Sequence, residues 1–260
     1  LPTFAINPDD GLKLGTQVVF TKYGFDRNPF TSQYTIETSY YFATNGFEIK
    51  LTSEFAQVFG RWNFGVEAEF TSPNYNVNFF GFGNQTKNQN FIDETTYNLN
   101  YNRVKLRKNA VTPYMVWRGA LGGNFRIGAS LESIEVEPTQ GRYISTTNLS
   151  KKNTFLGTDA HYNFEHQDNK AFPTLGIKAD LTIGYKSNIK SNASFSYVIP
   201  ALSFDYKLIP SGQLVLASKV KSHLNFGDGF EFYQGATLGA HDGLRGYRNQ
   251  RFTGKNSFYQ

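Results

Sequence analysis

Four groups of residues in this chain could do chemistry. Asp9 and Asp10 in "PDDG", 8–11, are adjacent carboxylates, the residue type of an acid/base pair. A glycine follows at once, so they read as a turn. His161, His166, His223 and His241 are the four histidines; their spacing matches no metal site, and the absence of cysteine excludes a thiolate centre or disulfide scaffold. "GFGNQT", 81–86, has the glycines of a phosphate-cradling loop but lacks its lysine and strand–helix context. No Ser/His/Asp arrangement and no phosphoesterase metal motif is supported, so neither catalysis, nor a metal, nor a cofactor is expected.

The fourth group is the densest. In "GAHDGLRGYRNQRFTGKNSFYQ", 239–260, four glycines and three arginines surround aromatic residues. A solvated loop has no use for Leu244 and Tyr247, and a buried one has no use for Arg245 without an acidic partner. Arg245 can form a bidentate, charge-assisted pair with a carboxylate. Gly243 and Gly246 permit a tight backbone path, and Tyr247 can pack its ring while its hydroxyl meets a polar wall. The receiving interior must therefore be polar. The plainer reading is a solvated basic loop with ordinary turn glycines.

The elements that would hold such a loop are strands. Aromatics make up 17% of the 260 residues, against only 39% hydrophobic residues in all, a bias that suits pleated surfaces. In "WNFGVEAEFT", 62–71, Trp62, Phe64, Val66, Ala68 and Phe70 alternate with Asn63, Gly65, Glu67, Glu69 and Thr71. The same period of two runs through "FEIKLTSEF" (47–55), "NFRIGASLES" (124–133) and "GIKADLTIGYK" (176–186). Turn signals then predict about twelve strands, near 12–23, 33–43, 47–58, 61–72, 95–107, 112–121, 123–137, 154–166, 174–187, 193–208, 212–226 and from 256 onward. Tight connections are expected at 44–46, 60–62, 121–123 and 209–213, and long ones at 73–94, 138–153 and 227–255. A change of phase around Pro200 suggests a bulge.

Alternation alone does not say which face is wet. Strands of ~10 residues or more, aromatics at strand ends (Tyr23, Phe25, Phe42, Phe47, Phe59, Trp62) and charges on the polar face favour an antiparallel transmembrane β-barrel over a soluble sandwich. In that arrangement Glu67, Glu69, Glu132 and Asp180 face the lumen. No ~18-residue apolar run and no signal-peptide pattern is visible, so a membrane would be met by strands. The net charge of +5 is dispersed, which gives no arm for nucleic acid.

"LRGYRNQRFTG" resembles the signature loop of the bacterial surface-antigen superfamily, the BamA-like and TamA-like outer-membrane barrels. "INPDDGLKLG" (6–15), "NFFGFGNQT" (78–86) and "YNFEHQDNKAFPTLG" (162–176) are similar to other stretches of that family, notably of barrels linked to calcineurin-like phosphoesterases. The resemblance implies a single barrel over 1–260, with twelve of sixteen strands present, no periplasmic docking domain, and loop 227–255 folding inward between strands eleven and twelve. It implies that Leu244, Arg245, Gly246 and Tyr247 form the lumen-loop signature, with the carboxylate partner of Arg245 on a strand beyond Gln260; Glu67, Glu69, Glu132 and Asp180 are substitutes. The implied function is protein insertion or translocation at the outer membrane of a Gram-negative cell, through a lateral seam. Partners would be membrane lipids, client proteins and other assembly-complex subunits. A passive pore and a soluble or surface-exposed binding barrel are the alternatives.

Overall fold

The computed structural model describes residues 1–260 except 8, 10, 26, 28, 89–97, 241 and 242. Fifteen strands are present among them: β1 Pro2–Asn7, β2 Gly11–Lys22, β3 Ser32–Tyr41, β4 Gly46–Phe59, β5 Trp62–Thr71, β6 Asn76–Asn78, β7 Arg103–Arg118, β8 Gly123–Val136, β9 Lys152–Gln167, β10 Leu175–Asn188, β11 Ser194–Lys207, β12 Val215–Phe226, β13 Ala236–Leu238, β14 Phe252–Gly254 and β15 Asn256–Tyr259. Twelve of them follow one another by antiparallel pairing from β1 to β15; β6 pairs with β7, and β13–β14 form a separate hairpin.

The two faces of this sheet are inverted relative to a water-soluble protein. On β8, Ser130 and Glu132 are 6% and 8% exposed, whereas Ile127 and Leu131 are 48% and 50% exposed. Phe20, Ile36, Leu51, Phe70, Leu156, Ile183 and Phe204 continue the exposed apolar face around the sheet. Side chains alternate because successive residues of a strand point to opposite faces. A wall that buries carboxylates and presents hydrocarbon outward fits a bilayer, where each backbone group must also be paired within the sheet. The ambiguity that alternation left open is thereby resolved.

Several expected boundaries change. Residues 103–107 and 112–118 of the two segments expected at 95–107 and 112–121 belong to one strand, β7; residues 95–97 lie outside the described ones. Val66 pairs with Pro113 on one side, and on the other the β7–β8 ladder skips from Val111 to Tyr114 without a shift of register. Pro113 has no N–H to donate, so the gap falls where no bond could form. Pro200 sits in a similar gap between Val198 and Ala201 in the β11–β12 ladder, and β10–β11 pairing is continuous through it. The expected bulge there is absent. Phe195, Tyr197 and Ile199 keep to the inner face, together with Ala201 and Ser203, and the outward residues are Leu202, Phe204 and Tyr206. The register shift is instead on β4, between Phe55 and Phe59, where Gln57 has φ +53°.

The strand expected first, 12–23, is the second. Its outer edge pairs with β1, and 256–259 pair with β12, so no ladder joins 12–23 to the other end of the sheet. β1 escaped notice because "PTFAIN" is short and runs directly into the turn at 8–10. One missed strand and one false division cancel, which keeps the total near twelve and leaves 227–255 between the eleventh and twelfth strands of the path.

By the antiparallel order, the chain leaves and re-enters the sheet at one end between β1 and β2, β3 and β4, β5 and β7, β8 and β9, β10 and β11, and β12 and β15, and at the other end between the remaining neighbours. The tight turn at 44–46 therefore shares an end with the long loops, so the expected asymmetry is partial.

Candidate functional site

The inner wall is built from cross-strand charge pairs. Both guanidinium nitrogens of Arg118 donate to Glu54, the second at 2.9 Å to Oε2, while Asn63 Nδ2 donates to Glu54 Oε1 at 2.7 Å and the Tyr114 hydroxyl to Oε2 at 3.4 Å. Lys108 Nζ lies 2.8 Å from Glu69, Arg126 Nη2 lies 2.7 Å from Glu67, and Lys186 Nζ lies 2.8 Å from Glu132. Asp180 accepts from Asn163 Nδ2 at 2.6 Å and faces His161 Nε2 at 3.7 Å. Glu67, Glu69, Glu132 and Asp180 thus lie on the polar face of the sheet, each with a partner of its own. None of them meets Arg245.

Glycines make room for the aromatics of this wall. A Cβ on Gly65 would stand 2.3 Å from Tyr114 Cζ, and one on Gly184 would stand 2.2 Å from Tyr197 Cζ. Each ring lies over the cross-strand glycine it pairs with. Arg126 then stacks its guanidinium 4.4 Å from the centre of the Tyr114 ring.

Toward the long-loop end this face turns apolar, and Phe230, Phe232 and Tyr233 pack on it. Phe232 is buried against Phe79 at 4.5 Å between ring centres, in a cluster with Val104, Leu106, Ile134, Val136 and Ile144. Phe230 packs on Phe195 at 6.0 Å. Polar groups secure the same segment: Asn153 Nδ2 donates to Glu231 Oε1 at 2.9 Å, and Asn225 Nδ2 donates to the Gln234 carbonyl at 3.4 Å. Burial pushes the Tyr233 phenol well above its ordinary range. Below this cap Tyr233, Gln234 and Gly235 close one side of a cavity of about 370 Å³, with Glu69, Lys108, Glu132 and Lys186 opposite.

The signature tetrapeptide forms a turn beside β15. Gly243 and Gly246 have φ +93° and +90°, and the Tyr259 ring stands where a Cβ on Gly243 would go. The Leu244 N–H donates to the Gly239 carbonyl at 2.9 Å, and Tyr247 packs on Phe252 at 5.6 Å between ring centres. Arg245 is exposed on this bend, with no carboxylate within ion-pair distance among the described residues.

The arginine that does meet a carboxylate is Arg248. Its Nε lies 2.6 Å from Asp9 Oδ1, and the side chains are 11% and 8% exposed. Asp9 Oδ2 accepts from the Asn249 N–H at 3.0 Å, and Arg103 donates to the Asp9 carbonyl. Arg248 Nη2 donates to Asn78 Oδ1 at 3.0 Å, and the guanidinium lies 5.3 Å from the Phe80 ring centre. Arg251 stacks on the same ring at 4.9 Å and donates to Thr86 Oγ1 at 2.7 Å. Desolvation lowers the pKa of Arg251, and also that of Arg142, which meets only neutral oxygens, Asn76 Oδ1 at 2.9 Å and the Arg103 carbonyl at 3.1 Å. Asp9 does occupy the expected turn, but it anchors the cap as well. Asp10 and His241 lie outside the described residues. The usable signal was the adjacency of three arginines, 245, 248 and 251, any of which could have been the one to turn inward.

Among solved structures with this fold is that of BamA from Haemophilus ducreyi lacking POTRA domains 1–3. It superposes on 96% of this chain with a TM-score of 0.67 at 14% sequence identity. The chain spans somewhat less than half of that protein's length, 45%. No family model matches the sequence, and no curated protein does. The likeness is one of fold, and it makes the sheet a BamA-like barrel wall.

Proposed function

We propose that this chain is the membrane barrel of an outer-membrane insertion or translocation protein of the surface-antigen type. The observation that supports this reading is the burial of Phe232 against Phe79 and the LRGY turn beside β15, on a sheet with a BamA-like fold. A client strand would pair along a lateral seam of the sheet, where an edge exposes its N–H and C=O groups. Arg245 remains available to a carboxylate of the client or of a segment outside the described residues. Membrane lipids, client proteins and assembly subunits are the proposed partners, the outer membrane is the proposed location, and the role is structural rather than enzymatic.

A passive pore is the second reading, favoured by the water-compatible charge pairs of the inner wall. The apolar cluster around Phe232 opposes it, because it fills the long-loop end. Reconstitution into liposomes separates the two. An insertase accelerates the folding of an added, urea-unfolded outer-membrane protein and leaks small solutes slowly. Rapid solute leakage without acceleration of client folding would overturn the proposal in favour of a pore.

A further inference from the structure

The inner wall of β10–β12 near the short-turn end is charged differently from the rest. Lys108 on β7, Arg126 on β8 and Lys186 at the far end of β10 each have a carboxylate within 2.8 Å. Lys178 and Lys219 have none within ion-pair distance among the described residues. Register aligns them: Lys178 is opposite Ser203 on β11, and Ser203 is opposite Lys219 on β12. With Thr182 and Lys221 they line a cavity of about 350 Å³ near the short-turn end. Asp180, the carboxylate in that lining, is engaged by Asn163 Nδ2 at 2.6 Å and faces His161.

Adjacent strands are ~4.8 Å apart, so the Cα atoms of Lys178 and Lys219 stand roughly 10 Å from each other across Ser203. Two flexible ammonium groups can converge over that distance on one anion above the hydroxyl. We propose that Lys178, Ser203 and Lys219 form a binding site for a phosphate group on the inner wall of the barrel. A tetrahedral phosphate supplies several acceptor oxygens to two ammonium donors and one hydroxyl donor at a single point. An extended acidic peptide spaces same-face carboxylates ~7 Å apart and matches this compact cluster less well. The site is independent of protein insertion and needs only that this face line the lumen.

The test is titration calorimetry of the full chain in neutral detergent with inorganic pyrophosphate as the probe. Lys178→Gln and Lys219→Gln should each weaken binding by about tenfold or more, the loss of one charge-assisted contact. Lys170→Gln, at a side chain 86% exposed in a turn, should leave it unchanged. Ser203→Ala, which removes no charge, provides a second reading if a glutamine variant does not fold, and should also weaken binding. Displacement of pyrophosphate by added phosphatidylglycerol would assign the site to a lipid headgroup; its persistence would assign it to a soluble phosphate. Absence of binding, equal loss in Lys170→Gln, or displacement by hexaglutamate as effective as by phosphate would overturn the proposal.

Discussion

Asp9 Oδ1 lies 2.6 Å from Arg248 Nε, and this contact ties the residue between β1 and β2 to the segment that leads into β14. Both side chains are nearly sealed from water, so removing one leaves the other charge desolvated. Arg248→Ala should cost about 3–5 kcal/mol, reduced where water enters. Arg248→Lys should rescue poorly, since an ammonium cannot reproduce the fork that reaches Asp9 and Asn78. Protease cleavage within 227–255 should rise in Asp9→Asn and Arg248→Ala. Unchanged cleavage in both would mean the contact does not hold the loop.

Arg245→Ala should behave differently. The side chain is exposed, and exposed substitutions usually stay within about 0.5 kcal/mol, so cleavage and thermal stability should match the parent chain. Client folding in liposomes should nevertheless slow if Arg245 receives a partner during function. A destabilised Arg245→Ala would show that the guanidinium is already bound within the fold.

Lipid-phase quenchers should reach spin labels at Leu51 and Val66, and water-soluble quenchers should reach those at Thr52 and Glu67. Val66→Lys should cost roughly 2–4 kcal/mol if the residue lies near the bilayer midplane. The reverse pattern of quenching would sink the membrane reading of the sheet.

Gly65→Ala should destabilise by about 1–3 kcal/mol, because the new Cβ would enter the Tyr114 ring. In a Tyr114→Ala background the same change should be nearly neutral. A chemical-denaturation cycle over the four proteins measures the coupling. Equal costs in both backgrounds would exclude the ring as the cause.

Asp168 makes the turn at 168–174 acid-resistant. Its carboxylate accepts from the Thr174 hydroxyl at 2.5 Å and from the N–H groups of Leu175, Thr174 and Asn169 at 3.1, 2.9 and 2.9 Å, which hold it far below the ordinary carboxylate range. A depressed folded pKa means that the contribution is fully present above the unfolded value near ~3.9 and is lost as pH falls through the folded value. Amide protection of Thr174 and Leu175 should therefore persist at pH 3. An NMR titration of the Asp168 carboxyl with a midpoint near 4 would contradict this.

What the sequence made legible is local. Period-two alternation places Ile127 and Leu131 opposite Ser130 and Glu132 without help from distant residues, and most strands follow from it. Pro200 suggested a bulge because proline removes a ladder donor, whereas here it sits in a ladder gap that needs no N–H, as Pro113 does. The cap was the least legible part. Gly243 and Gly246 announced a tight turn, but nothing within the loop says whether Arg245, Arg248 or Arg251 turns toward a carboxylate. That depends on Asp9, whose own neighbours describe only a turn. The faces of Phe195 and Tyr197 were obscured for a related reason: aromatic residues are expected outside a barrel, and these line the inside because the cap covers them.

The Asp9–Arg248 contact also orders events in time. The two residues are separated by 239 positions, so a chain emerging from its N-terminus carries Asp9 long before Arg248 exists. Neighbouring strands can zip up hairpin by hairpin with short loop closures, but this pair must close 239 positions at once. Its entropy is offset only after the intervening wall has brought the ends near each other. The contact therefore reports on the strands between: a sheet with strands out of register should leave Asp9 and Arg248 apart, and exposure of Phe232 would be the earliest visible sign.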